Sequence, residues 1–246
     1  MTATAVLRAE WIKITTLRGT VWSLACVLLV TAGFGILASA ALGGAETVDG
    51  DFDPLFSVLT GVGPGQIAAI VFGTLAVSSE YQSGLIRATL AAVPRRGLLY
   101  AAKLAHVGGL TFAVALPTTL LSFLAGGAAL GDRALGLGDD GALLGVVGSA
   151  VYLALMALLA AGLAAVLRSG IAVLGILIPF VLVVSMVLGV GSSAGVADYL
   201  PDRAGQQVLF AEPPAGLAPL AGLAVTALWT GAAVLAGWWT MRRRDA

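Results

Sequence analysis

The sequence predicts an all-α integral membrane protein with six transmembrane helices, and three observations carry that reading. Mean hydropathy is +1.00, and 11% of the 246 residues are charged, against about a quarter in a soluble domain. Apolar runs of membrane length recur six times, at about 20–42, 58–79, 104–130, 142–167, 171–191 and 217–240. Each is close to the roughly 20 apolar residues that cross about 30 Å of hydrocarbon. In hydrocarbon every backbone group must pair within its own segment, so these runs are helices and not lone strands.

Charge placement is the third observation. With loops numbered alternately, one side receives Arg8, Lys13, Arg18, Arg87, Arg95, Arg96, Lys103, Arg168, Arg242, Arg243 and Arg244, and the other only Arg133 and Arg203. Ten of the thirteen acids fall on the cation-poor side. Lys/Arg bias marks the cytoplasmic face, so both termini are expected in the cytoplasm. A net charge of zero gives no footprint for nucleic acid.

Residues 1–19 open the single transmembrane domain that spans 1–246. Leu7, Trp11 and Ile14 share a helical face, with Arg8, Glu10, Lys13, Thr15 and Thr16 mostly elsewhere. That pattern predicts a helix lying in the membrane interface. The first span holds the one cysteine, Cys26, expected as a lipid- or helix-packed small residue. Ala38-Ser39-Ala40 resembles a cleavage site, but the apolar run exceeds the about 7–15 residues of a signal sequence, so an uncleaved helix is expected. An acidic outer loop, Gly43 to Ser57, leads into the second span.

Between the second and third spans lies the most polar inner stretch, Ser79 to Lys103. Gly84 permits a sharp bend, and Pro94 ends a helical stretch before the third span. Glu80 is an acid on the cationic face, where it does not serve topology, so it is expected to make a charged contact to a partner. Arg95 and Arg96 fit either such a contact or the positive-inside bias alone. His106, one turn beyond Lys103, reads as a hydrogen-bonded polar residue near the inner interface.

Leu130 to Gly141 is Gly/Asp-rich turn material, and Arg168-Ser169-Gly170 is a minimal turn that makes the fourth and fifth spans an antiparallel pair. Ser192 to Gly216 mixes Val208, Leu209 and Phe210 with prolines, which predicts short helices capping the outer leaflet. Gly61/Gly65, Gly127/Gly131 and Gly141/Gly145 have the spacing of close helix approach. Trp238 and Trp239 beside the terminal arginines read as interfacial anchors, and Trp229 belongs to the same last span.

Three motif matches fail their context. Gly136 to Gly141 fits GxGxxG but follows no strand. Gly191 to Gly195 fits GxSxG, but the only histidine, His106, belongs to the opposite face. Asp49, Asp51 and Asp53 begin like a calcium loop, yet Pro54 and Thr60 stand where glycine and glutamate are required. These leave no catalytic, cofactor-binding or metal-binding candidate, and no enzyme activity is expected. The chain contains no GxxxxGK[ST], so it has no phosphate-cradling loop of its own. No acid lies deep in a predicted span, which disfavours ion-coupled transport.

The run Leu7-Arg8-Ala9-Glu10-Trp11-Ile12-Lys13, followed by Thr16-Leu17-Arg18-Gly19-Thr20, resembles the opening of ABC transporter permeases of the type-two exporter class, the actinobacterial branch especially. Glu80-Tyr81-x-x-Gly84-x-Ile86-Arg87-x-Thr89-Leu90, Pro94-Arg95-Arg96 and Ala101-Ala102-Lys103-Leu104 look like that class's loop between its second and third helices. The terminal Arg242-Arg243-Arg244-Asp245-Ala246 is also similar, and Leu85 departs where many relatives carry threonine. The resemblance implies a six-helix subunit with an interfacial helix containing Glu10, Trp11 and Lys13. It also implies a cytoplasmic coupling helix between helices 2 and 3, and short outer helices before the sixth. Glu80, Tyr81, Gly84, Arg87, Pro94, Arg95 and Arg96 would form the ATPase-coupling loop.

Implied partners are a second permease subunit, as homo- or heterodimer, and a cytoplasmic ATP-binding cassette ATPase dimer that binds the ATP. This chain would hold no cofactor and would sit in the plasma membrane. Its uncharged spans favour drug-, peptide- or lipid-like cargo over small ions. The alternative is a non-transporting membrane scaffold or sensor with a cytoplasmic docking loop.

Overall fold

The computed structural model describes residues 3–44, 52–86, 89, 95–184, 187, 195–214 and 216–243, which are all-helical apart from turns. In chain order the elements are α1 (Ala3–Thr16), α2 (Arg18–Gly43), α3 (Pro54–Leu59), α4 (Val62–Gln82), α5 (Arg96–Leu130), α6 (Ala142–Leu167), α7 (Gly170–Pro179), α8 (Pro201–Gln206) and α9 (Pro219–Arg243). Short 3-10 turns occupy Gly131–Arg133, Val196–Tyr199 and Gln207–Leu209, and a π-turn occupies Phe180–Val184.

Small residues decide how closely these helices pack. The α6 helix is the axis, with Ala150, Ala157, Ala160, Ala161, Ala164 and Ala165 fully buried. A β-carbon on Gly162 would sit 2.7 Å from the Ala233 carbonyl carbon of α9, so the two backbones touch. Gly73 lets α4 meet Ala157 in the same way. The central apolar windows of α4 (with α3) and α6 are 61% and 67% buried, against 28% for α2 and for α9, which therefore form the rim. Hydroxyls add cross-links: Ser122 donates to the Val58 carbonyl at 2.6 Å, and Thr119 to that of Val146 at 3.0 Å.

Of the three glycine pairs, Gly61/Gly65 makes a close helix contact, since β-carbons at both would collide with Thr31 of α2. The other two pairs lie at helix ends. Gly131 and Gly141 supply left-handed turns (φ 63° and 83°) instead of close approach.

Five helices are long and apolar enough to cross a membrane: Arg18–Gly43, Pro54–Gln82, Arg96–Arg133, Ala142–Leu167 and Pro219–Arg243. The expected fifth run, 171–191, gives a shorter apolar helix, Gly170–Val183. Pro179 cannot donate a helical hydrogen bond, and the α-helix widens into the π-turn there. Residues 185, 186 and 188–194 of this run and its connection lie outside the described set. The third helix begins at Arg96, eight residues before the apolar run, and so carries Lys103 into the packed bundle.

Contacts gather the described charges at two ends. At the basic end, Arg168 lies 5.5 Å over the Tyr81 ring, and Arg96 donates to the Met241 carbonyl. At the acidic end, Asp53 caps α3 by accepting from the Phe56 amide at 3.0 Å, with Pro54 as the first helical residue. Its second oxygen accepts from the Ala211 amide at 2.8 Å, and Phe56 stacks on Phe210. The segment 195–211 thus caps this end with Val208 and Leu209 buried, as the mixed composition of Ser192 to Gly216 predicts for its described part.

Candidate functional site

The site begins with the register of α1. The residues this helix turns into the protein are Val6, Glu10, Lys13 and Ile14, spaced i, i+4, i+7 and i+8. Leu7 and Trp11 are 40% and 48% exposed. Leu7 and Trp11 thus point away from the protein, where an interfacial helix meets lipid, while Ile14 of the same stripe packs inward beside Glu10 and Lys13. In a membrane protein the lipid-facing side of a helix need not be its protein-packed side.

Glu80 arrives from the last turn of α4 and Lys103 from the third turn of α5. Lys103 Nζ donates to Glu10 Oε2 at 2.7 Å, to Glu80 Oε1 at 2.8 Å and to the Ala76 carbonyl at 3.4 Å. Lys13 Nζ donates to Glu10 Oε1 at 2.8 Å, to Glu80 Oε1 at 2.9 Å and to Thr89 Oγ1 at 3.3 Å. Two carboxylates and two ammonium groups form a closed, neutral ring in which each lysine uses three donors. Glu10, Lys103 and Glu80 are 1%, 2% and 4% exposed. Isolated, any of these charges would be costly to bury; paired and hydrogen-bonded, they are tolerated. Among the described residues, Glu80 Oε2 is a buried acceptor without a hydrogen bond.

Electrostatics follow from this ring. Burial alone would raise the Glu10 pKa, but Lys103 and Lys13 outweigh it and hold the carboxyl below its ordinary value. Burial likewise opposes the charge on Lys13, and hydrogen bonds to Glu10 and Glu80 raise it overall. The α1 side of the ring is thus charged throughout the neutral range.

Beside the ring sits a small apolar cluster of Val6, Ile86, Leu99 and Ala102, with Tyr81 against it. It joins α1, the segment just past α4 and the start of α5. Gly84 makes that geometry accessible: α4 ends at Gln82, and Gly84 turns the chain at φ 71°, a conformation that side chains disfavour.

The expected site residues therefore divide. Glu10, Lys13 and Glu80 come together, joined by Lys103, which closes the polar stretch and the loop motif in the sequence but was not among the expected site residues. Glu80, expected to face a partner, faces inward. Tyr81 is half-buried beneath Arg168, and Trp11 lies 6.1 Å from the His106 ring, whose Nδ1 is 2.8 Å from the Ala102 carbonyl. Arg95 is exposed, and Arg96 reaches α9. Arg87 and Pro94, with most of the expected coupling helix, lie outside the described residues. The signal that could have found the ring was the Glu10–Lys13 pair on the Val6/Ile14 face. No protein-family model matches the chain, and no curated protein matches it either.

Proposed function

We propose that this chain is the membrane-spanning permease subunit of an ATP-binding cassette exporter in the plasma membrane, with both termini cytoplasmic. Its partners are a second permease subunit and a separate ATPase dimer. The ring of Glu10, Lys13, Glu80 and Lys103 is the observation that carries this reading. It fastens α1 to both helices that bracket residues 83–95. A partner that pushes on those residues acts on one braced unit. The push is passed to α4 and α5 instead of being absorbed by fraying ends. Glu80 then serves coupling by anchoring the origin of the loop, while Gly84, Arg87 and Arg95 are left to meet the partner.

Two further features agree. α6 ends beside Tyr81 at the basic end, whereas α8 packs at the acidic end, so the chain changes ends between 168 and 201. We read that passage as the sixth crossing, the fifth in chain order. A cavity of about 600 Å³ near the acidic end, lined by Phe34, Gln66, Val181, Asp202, Arg203 and Phe210 among others, combines a mostly apolar wall with amide, carboxylate and guanidinium groups. Its size and mostly apolar wall suit a drug-, peptide- or lipid-like cargo.

Transport and retention of the ATPase, measured together, test the proposal. Glu80→Ala, which strips both lysines of a shared acceptor, and Gly84→Val, which strains the φ 71° turn, should remain membrane-inserted, as size-exclusion profiles will report, while transport falls roughly tenfold or more. Asp139→Ala, on an exposed acidic-end turn, should transport normally. ATP hydrolysis should require the partner chain. Full transport and full partner retention in both loop variants would overturn the coupling role. A chain that binds a partner but moves no cargo would instead be a membrane scaffold.

A further inference from the structure

At the basic end, α5 starts where α9 finishes. Arg95, Arg96, Gly97 and Leu98 of the one and Arg242 of the other line a cavity of about 450 Å³. Its walls are fastened twice: Arg96 Nη1 donates to the Met241 carbonyl at 3.1 Å, and one turn deeper the Tyr100 hydroxyl donates to the Val234 carbonyl at 3.1 Å.

Donors converge on this space. The amides of Arg96 and Gly97 precede the first helical hydrogen bonds of α5, which Leu98 and Leu99 make to the Arg95 carbonyl. They carry the positive end of a 35-residue helix. The Arg242 guanidinium lies 4.0 Å over the Trp238 ring, and that of Arg243 lies 4.4 Å over Trp239. Stacking holds long side chains that would otherwise be free to swing. The Trp238 indole nitrogen stands 3.5 Å from where a β-carbon on the lining residue Gly97 would sit. The two carboxylates described at this end, Glu10 and Glu80, are already paired with lysines.

We propose that this cavity binds the phosphate of an anionic lipid headgroup. Planar guanidinium forks and helix-heading amides match a tetrahedral oxyanion. The lipid source follows from the surroundings. Trp238 and Trp239 close a helix of membrane length, where indoles mark the hydrocarbon edge. One turn above them Leu235 is 64% exposed, an apolar wall for the acyl chain. A free anion would gain nothing from that wall.

The site requires neither transport nor an ATPase, so it is tested on the purified chain alone. Native mass spectrometry should show one phosphatidylglycerol retained about tenfold better than phosphatidylcholine, the worth of one to two juxtamembrane arginine contacts. The double variant Arg95→Gln/Arg242→Gln should lose that preference at an unchanged melting temperature. Arg133→Gln, whose guanidinium bonds the Leu42 carbonyl at the far end, should keep it. Arg242→Lys should fall between, since it keeps charge but not the fork. Inorganic phosphate and glycerophosphate serve as competitors. Equal retention of the two lipids, or undiminished retention in the double variant, overturns the proposal. Phosphate binding without lipid preference assigns the cavity to a soluble anion and overturns the lipid source.

Discussion

A lysine in the third turn of a membrane-length helix can remain charged only in company. Lys103 has that company from Glu10, 93 residues away in sequence, and from Glu80. Removing one member leaves an unbalanced buried charge; removing an opposite pair does not. Lys103→Met should therefore destabilise by on the order of 3–5 kcal/mol, while Lys103→Met/Glu10→Gln should cost clearly less than the sum of its single variants. Thermal melts in detergent measure both, and strict additivity would break the ring into independent residues. The same melts carry a pH signature. The lowered Glu10 contributes stability above its ordinary value of 4.5, lost as pH falls through its folded value. The raised Lys13 contributes below its ordinary value of 10.5, lost as pH rises through its folded value. Stability should be flat between those limits. At this scale the sequence showed that Glu80 was out of place among cations. It did not show its partners, because ion pairs across such separations leave no local pattern.

Among elements, helix existence was legible and facing was not. The apolar runs located α2, α4, α5, α6 and α9 because hydrocarbon demands length and apolarity, which are local properties. The stripe of Leu7, Trp11 and Ile14 on α1 did not say what it meets, because lipid and protein both accept apolar residues: Leu7 and Trp11 point outward and Ile14 packs inward. Glycine spacing had the same ambiguity: four-residue pairs occur at helix contacts and at helix ends alike. The structure resolves it at α4. Gly61 is pressed against the Thr31 backbone of α2, whereas Gly63 has nothing within 4 Å of its would-be side chain. Gly61→Val should destabilise by roughly 1–3 kcal/mol through forced separation of α2 and α4, and Gly63→Val by well under half that. If the two variants melt alike, Gly61 does not set the approach of α2 to α4.

Across the whole molecule, charges separated along the sequence become two physical ends. Lys13, Lys103, Arg96, Arg168 and Arg242 meet through bonds and ring contacts at one, while Asp53 and the segment 195–211 meet at the other. By the positive-inside rule, the basic end is expected to face the cytoplasm. Cysteine labelling gives the answer in intact cells. Cys26 is exposed on the rim helix α2 and must first become serine. Asp139 and Arg95 are exposed at opposite ends, which makes them better probes than Asp202, only 3% exposed. In that background Asp139→Cys should react with an impermeant maleimide from outside. Arg95→Cys and Arg243→Cys should react only after the membrane is opened. The pair at 95 and 243 also counts crossings: they share a side only if an even number of spans lies between them, which requires the run from 170 onward to cross. Labelling of 95 from outside would invert the protein and remove the cytoplasmic loop on which the exporter reading depends. Labelling of 243 alone would delete the fifth crossing while leaving the ring and its bracing of α4 and α5 intact.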